Sequence, residues 1–177
     1  TEQPHTMDSD DGPATPPLSP VHWHPCWRLV ASRFPPVGLF DRVADPADLE
    51  AVFAVEALTN PRLRQEAGDI ALVPSAERDS GPGTTPIMAA FTHLNAEGSR
   101  FSDGSYGIYY AAIGIDTAIS ESIFHRERFL RATQEPAIEI DMRSYASEIN
   151  DQFHDIRGQK ATRPDLYHPD PGQYGPA

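Results

Sequence analysis

The stretch 98-GSRFSDGSYGIYYAAIGIDTAISESIFHRERF-129 decides the reading of this chain, because a glycine turn, an extended segment and a helix follow one another without interruption. Within it 106-YGIYYAA-112 reads as a strand. Tyr109 and Tyr110 then point to opposite faces, so at most one is core while the other can line a cavity. Asp116 is suited to cap a helix from Thr117 to about Ala132. On that helix Ala118, Ile119, Ser122, Ile123, Phe129 and Leu130 share one face, and Glu121 lies off it. Taken singly, each tyrosine is more often a packing residue and such a glutamate more often a solvated one.

The totals restrict what these residues can be doing. At 177 residues the chain suits one domain with a genuine core, and 39% hydrophobic content with 18 prolines suggests a globular body with long loops. No apolar run approaches the length of a membrane span, and the opening TEQPHTMDSDDGPATPP is not a secretory signal. Cys26, the only cysteine, excludes an internal disulfide and points to a reducing cytoplasm. A net charge of −12 argues against direct nucleic-acid binding, which needs a basic surface, but leaves room for a local basic pocket.

Outward from the opening stretch, residues 1–20 read as a disordered acidic, Pro-rich tail, 21–162 as the domain, and 163–177 as an irregular Pro/Gly-rich tail. The segment 37-VGLFDRVAD-45 reads as a strand with Leu39, Asp41 and Val43 on one face and Phe40 and Arg42 on the other. The sequence beginning 46-PADLEAVF reads as a helix started by Pro46, with Asp45 a candidate N-cap and Asn60-Pro61 its interruption. Residues 74–86 form a loop, 87-IMAAFTHLN-95 is helix or strand, and 137-AIEIDM-142 alternates as a strand. There is no internal repeat.

Most motifs fail on inspection. The GPG at 81–83 lacks the strand and helix of a dinucleotide loop. His22, His24 and Cys26 lie close together but lack an evident fourth ligand, so no metal site is assigned and surface or core packing is the better reading. The remaining histidines are scattered, with no nucleophile elbow nearby. Arg42 is different: an arginine on a partly buried strand face wants a carboxylate or a phosphate. From spacing alone the carboxylate is favoured, as an internal ion pair with Glu56, Asp41 or Glu121.

Together these pieces resemble the RES-domain family, toxins of bacterial Xre–RES toxin–antitoxin pairs that are related to ADP-ribosyltransferases and attack NAD+. The likeness runs from about Trp27 to Tyr174. It rests on 27-WRLVASRFPPVGLFDRVAD-45, 53-FAVEALTNPRLRQEAGD-69 and 89-AAFTHLNAEGSRFSDGSYGIYYAA-112. In the last of these, Ser99-Arg100-Phe101-Ser102 stands where the family has Gly-Arg-Trp-Asn. Tyr110 follows Arg100 by ten positions and Glu121 follows Tyr110 by eleven, both as in the family pattern. The resemblance implies an α+β fold, an ADP-ribosyltransferase-like split β-sheet with flanking helices and the nucleotide in the cleft.

It also implies a set of roles. Arg42 holds the pyrophosphate with help from Arg100, Tyr110 (with Tyr109 beside it) stacks on the nicotinamide, and Glu121 offsets the oxocarbenium charge that develops on the ribose. NAD+ is then the substrate, with no separate cofactor. The expected activity is NAD+ degradation at the nicotinamide N-glycosidic bond, with mono-ADP-ribosylation of a protein or a non-catalytic remnant that binds nucleotide or antitoxin as alternatives. An Xre-type helix-turn-helix antitoxin is the expected protein partner. The family pattern continues into a helix and a closing strand with a serine in a Tyr-x-Ser-Val-Arg-like piece, which 167-YHPDPGQYGPA-177 lacks. The expectation is therefore a C-terminally shortened or frameshifted domain, or one completed by another chain, including another copy in a homo-oligomer.

Overall fold

A computed structural model describes residues 15–31, 38, 41, 45–59, 68–96, 98–133 and 138–168. Five regular elements organise them: strand β1 (Leu18–Ala31), helix α1 (Leu49–Thr59), helix α2 (Thr85–Thr92), helix α3 (Ile115–Thr133) and strand β2 (Met142–His154). Short 3-10 turns join them. The architecture is mixed α+β, as expected, and its sheet among the described residues is one antiparallel pair, β1 with β2.

The ladder runs from Leu18 opposite His154 to Ala31 opposite Met142. Between Trp23 and Cys26 β1 takes three steps while β2 takes two, from Ile149 to Ser147, so β1 carries one extra residue there. Pro25 lies in that bulge, where its missing N–H leaves no ladder bond unmade. The bulge exchanges the faces. Before it His22 and His24 are exposed and Val21 and Trp23 half-buried; after it Cys26 turns fully inward. From Trp27 to Val30 both faces of β1 are covered.

A two-stranded ribbon is marginal alone and needs cover. One source is α3, which packs against β1. The other is the extended segment 107–112, whose Ala112 exchanges two main-chain bonds with Trp27, at 2.7 and 2.8 Å. Both of Trp27's main-chain groups are thereby used away from β2, which makes Trp27 and Ala146 a non-hydrogen-bonded pair. Gly107 lets this segment run against α2: a Cβ there would stand 2.1 Å from the Ala90 carbonyl oxygen, so only glycine fits. Buried Met88, Ala90 and Thr92 of α2 and Ile70 and Val73 of the preceding turns fill the space beneath.

Several local expectations change. The segment 37–45 was expected as a strand; Asp41 lies instead in a 3-10 turn and caps α2, its Oδ1 accepting from Thr85 Oγ1 at 2.8 Å and from Thr85 N at 3.2 Å. Arg42 lies outside the described residues, as do Phe40 and Val43. The expected strand 106–112 is extended but, among the described residues, paired only at Ala112. The strand expected at 137–142 begins at its last residue, because the ladder ends where β1 ends, at the Ala31–Met142 pair. The apolar face of α3 is mostly open: Ala118 is buried, while Ile119, Ile123 and Phe129 are exposed among the described residues.

Candidate functional site

The chemistry collects around Arg28, a residue the sequence reading passed over. Arg28 stands on β1 opposite Tyr145 of β2, where cross-strand partners share a face. Its guanidinium carbon lies 4.8 Å from the centroid of the Tyr109 ring, a cation–π contact. Nη1 donates to the Tyr110 carbonyl at 3.3 Å. Nε, shielded from solvent, has no hydrogen-bond partner among the described residues. Burial lowers the guanidinium's pKa from its ordinary value, while the phenols of Tyr109 and Tyr145 act in the opposite sense. It remains a cation with donors to spare.

The support beneath it is specific. Tyr109 places its hydroxyl 3.0 Å from Ser147 Oγ, and the same Oγ lies 3.2 Å from the buried Cys26 Sγ. The ring on which Arg28 rests is thus fixed to both strands. Tyr110, the next residue, turns to the other side of the segment. Its hydroxyl meets Ser99 Oγ at 3.0 Å and donates to the Arg100 carbonyl. That fastens it to the tight turn in which Ser99 and Ser102 exchange main-chain bonds at 2.9 and 3.1 Å.

Two cavities open on either side of this segment. One, of about 280 Å³, is lined by Arg28, Tyr110, Ser99 and Ser102 together with His93 and Asn95. The other, of about 300 Å³, is lined by Tyr109, Tyr145, Ser147, Pro86 and Ile87, with Asp41 at its margin. The expectation that the two tyrosines diverge is met, and each lines a cavity of its own.

The other expected site residues are dispersed. Arg100 sends Nη1 to the Leu166 carbonyl at 2.7 Å, tying the turn to the C-terminal segment. Glu121 is exposed on α3 and lines neither cavity. The cluster His22, His24 and Cys26 is divided by the bulge: the two histidines face Glu148 at 3.7 and 3.5 Å, while Cys26 turns inward to Ser147. Among the described residues no group of three or more acidic, histidine or cysteine side chains is placed to hold a metal ion. None of their helices is long and apolar enough to cross a membrane.

Arg28 was open to detection by the argument that selected Arg42. It sits in 26-CWRLVA-31 between large apolar neighbours, where a guanidinium is harder to accommodate than at Arg42.

Comparison with known proteins gives this site a context. Residues 76–177 match the RES domain. The chain belongs to the RES-domain family. A curated relative, the uncharacterized protein y4oC of Sinorhizobium fredii (strain NBRC 101917 / NGR234), is 36% identical over 135 residues. That alignment takes in 74% of this chain and 56% of y4oC, so the chain spans little more than half of that relative's length. No solved structure matches. The RES-domain match includes Arg100, Tyr109, Tyr110 and Glu121, whereas Arg28 and its strand lie before it. The site therefore joins the matched part of the RES domain to β1 through the Trp27–Ala112 bridge.

Proposed function

We propose that this RES domain binds NAD+ and breaks its nicotinamide N-glycosidic bond. The observation that carries the reading is the Arg28 guanidinium: largely desolvated, its Nε without a hydrogen-bond partner among the described residues, and opening on the cavity that Tyr110 also lines. Such a cation is costly unless an anion completes it, and a planar fork suits a phosphate. In this reading Arg28 takes the pyrophosphate role assigned from sequence to Arg42, and binding energy gained there orients the distant glycosidic bond.

The leaving nicotinamide departs from a cationic ring as a neutral molecule, so no strong acid is needed. The requirement is a negative group beside the ribose as positive charge develops on it. The resemblance gives that role to Glu121, which stands outside both cavities on α3, the helix that starts three residues after Ala112. Water, phosphate or a protein side chain can then capture the ribosyl carbon. The exposed apolar side chains of α3 suit a protein partner such as the helix-turn-helix antitoxin implied by the resemblance.

The test is incubation of the purified chain with NAD+ and chromatography of released nicotinamide. Glu121→Gln is expected to cut turnover roughly 100-fold or more, the scale for loss of one transition-state charge partner, with NAD+ affinity kept. Wild-type protein that binds NAD+ but releases nothing above buffer would reduce the domain to a binding module. Labelled adenosine appearing on a protein would move the activity to ADP-ribosyl transfer.

A further inference from the structure

Cys26 and Arg28 are alternate residues of β1, and their partners across the ladder, Ser147 and Tyr145, are alternate residues of β2. Alternate residues share a face, so these four side chains form one patch on one side of the ribbon. The bulge between Trp23 and Cys26 creates it. A ladder continued in the register of Trp23 and Ile149 would set Cys26 opposite Ala146 and Arg28 opposite Ser144. Tyr109 spans the patch. Its hydroxyl lies 3.0 Å from Ser147 Oγ at one cross-strand pair, and its ring carries the Arg28 guanidinium at the other.

Ser147 Oγ is shared: it also lies 3.2 Å from the Sγ of Cys26, a side chain with no exposed surface. A hydroxyl both donates and accepts, so serine can meet thiol and phenol at once, and the thiol is the weaker partner. Cys26, Ser147 and Tyr109 do not line the cavity on which Arg28 opens; Ser147 and Tyr109 line its neighbour. An anion in the Arg28 cavity therefore meets Arg28 itself and reaches Ser147 only by way of the Tyr109 ring. A long arginine side chain binds best when its rotamers are fixed beforehand. Here the Tyr110 carbonyl holds one nitrogen and the Tyr109 ring lies against the guanidinium. We propose that Ser147 is a positioning residue of the anion site: its hydroxyl fixes the Tyr109 ring, the ring fixes the Arg28 guanidinium, and affinity for the pyrophosphate depends on a group that never touches it. The proposal rests on the reading of Arg28 as the pyrophosphate contact of NAD+.

Calorimetric titration of the full chain with NAD+ tests this. Ser147→Ala is expected to weaken NAD+ roughly 2- to 12-fold, the net range for one hydrogen bond, and Ser147→Thr, which keeps the hydroxyl, should restore the affinity. Tyr109→Phe removes the same bond from its other end, so the double variant should lose no more than either single one. Circular dichroism on each variant confirms that the fold persists. Nuclear magnetic resonance gives a measure that needs no ligand. The Arg28 side-chain protons, lying against the Tyr109 ring, should be shifted upfield by its ring current in wild type and in Ser147→Thr. In Ser147→Ala they should move back toward ordinary arginine positions. Unchanged affinity in Ser147→Ala, or an Arg28 shift that stays, overturns the positioning role alone. A double variant whose loss is the sum of the two single losses does the same, because the two hydroxyls then act separately. Wild-type chain that shows the Arg28 shift yet binds no NAD+ overturns the reading of Arg28, and the proposal with it.

Discussion

Arg28 and Arg163 are both taken largely out of solvent, and they are treated in opposite ways. Arg163, in the C-terminal turn, is gripped by Asp165 two residues on: Nε lies 3.0 and 3.1 Å from the two carboxylate oxygens and Nη2 lies 2.6 Å from one of them. The hydrogen bonds raise the arginine's pKa and lower the carboxylate's. Arg28, in the sheet, has one carbonyl, one phenol face and a shielded Nε with no hydrogen-bond partner among the described residues. A guanidinium whose donors are met within the chain is scaffold. One whose donors are left over among the described residues is open to a ligand, and that difference separates the site from its support.

The largest effect should come from removing the waiting cation. Arg28→Met is expected to lower NAD+ affinity by at least about 30-fold, the low end for truncating a desolvated charge contact. Its effect on the ligand-free protein should run the other way. Methionine fills the space without an unmet donor, so the unfolding midpoint should hold or rise, the usual exchange of stability against a strained site. Calorimetry and a thermal melt on one preparation decide it. A melt several degrees lower with affinity retained would make Arg28 a second Arg163.

The reciprocal substitution sharpens the contrast. Asp165→Asn keeps shape but leaves Arg163 buried without its carboxylate, and the melting temperature should fall by several degrees. NAD+ affinity in the remaining folded protein should not move. Arg163 also lies beside Leu166, whose carbonyl receives Arg100, so hydrogen exchange should quicken around residues 98–102 as well as in the C-terminal turn. A melt equal to wild type would show that this pair is ornamental.

How much of this was legible in the sequence differs between the same regions. The helix at 115–133, the helix from 46 and the divergence of Tyr109 from Tyr110 follow from short-range pattern, and they are found. The long strand β2 was legible only at its first residue. Its sequence, MRSYASEINDQFH, carries few apolar residues because one face is exposed, and its pairing partner lies more than a hundred positions away. The fate of the α3 face was equally hidden, since periodicity says which residues align and not whether anything covers them. Arg28 shows the limit most clearly. Local sequence marked it as an arginine among apolar neighbours, but only the fold shows its cross-strand pairing with Tyr145, the approach of Tyr109 and an Nε with no hydrogen-bond partner among the described residues.

The smallest effect is a matter of pH, and it again divides scaffold from site. Arg157 donates to Asp155 from Nε at 2.8 Å and from Nη2 at 2.6 Å, and the main-chain N of Asp155 reaches back to the Pro17 carbonyl at the start of the ribbon. The hydrogen bonds from Arg157 bring the Asp155 carboxyl from its ordinary 3.8 down to about 2, and Asp165 is shifted in the same direction by Arg163. A carboxyl whose native pKa lies below its unfolded one contributes its stabilisation fully above the unfolded value and loses it as pH falls through the native one. For Asp155 the window therefore runs from about 3.8 down to about 2, and near neutrality the pair gives no slope. Denaturant melts should show a gentle acid limb in that window, shallower in Asp155→Asn because one titrating group is gone. Arg28→Met should leave the limb as it is, since the Arg28 Nε meets no carboxylate among the described residues. An acid limb that vanished with Arg28 would mean that a carboxylate meets it after all, and the distinction between the two arginines would collapse.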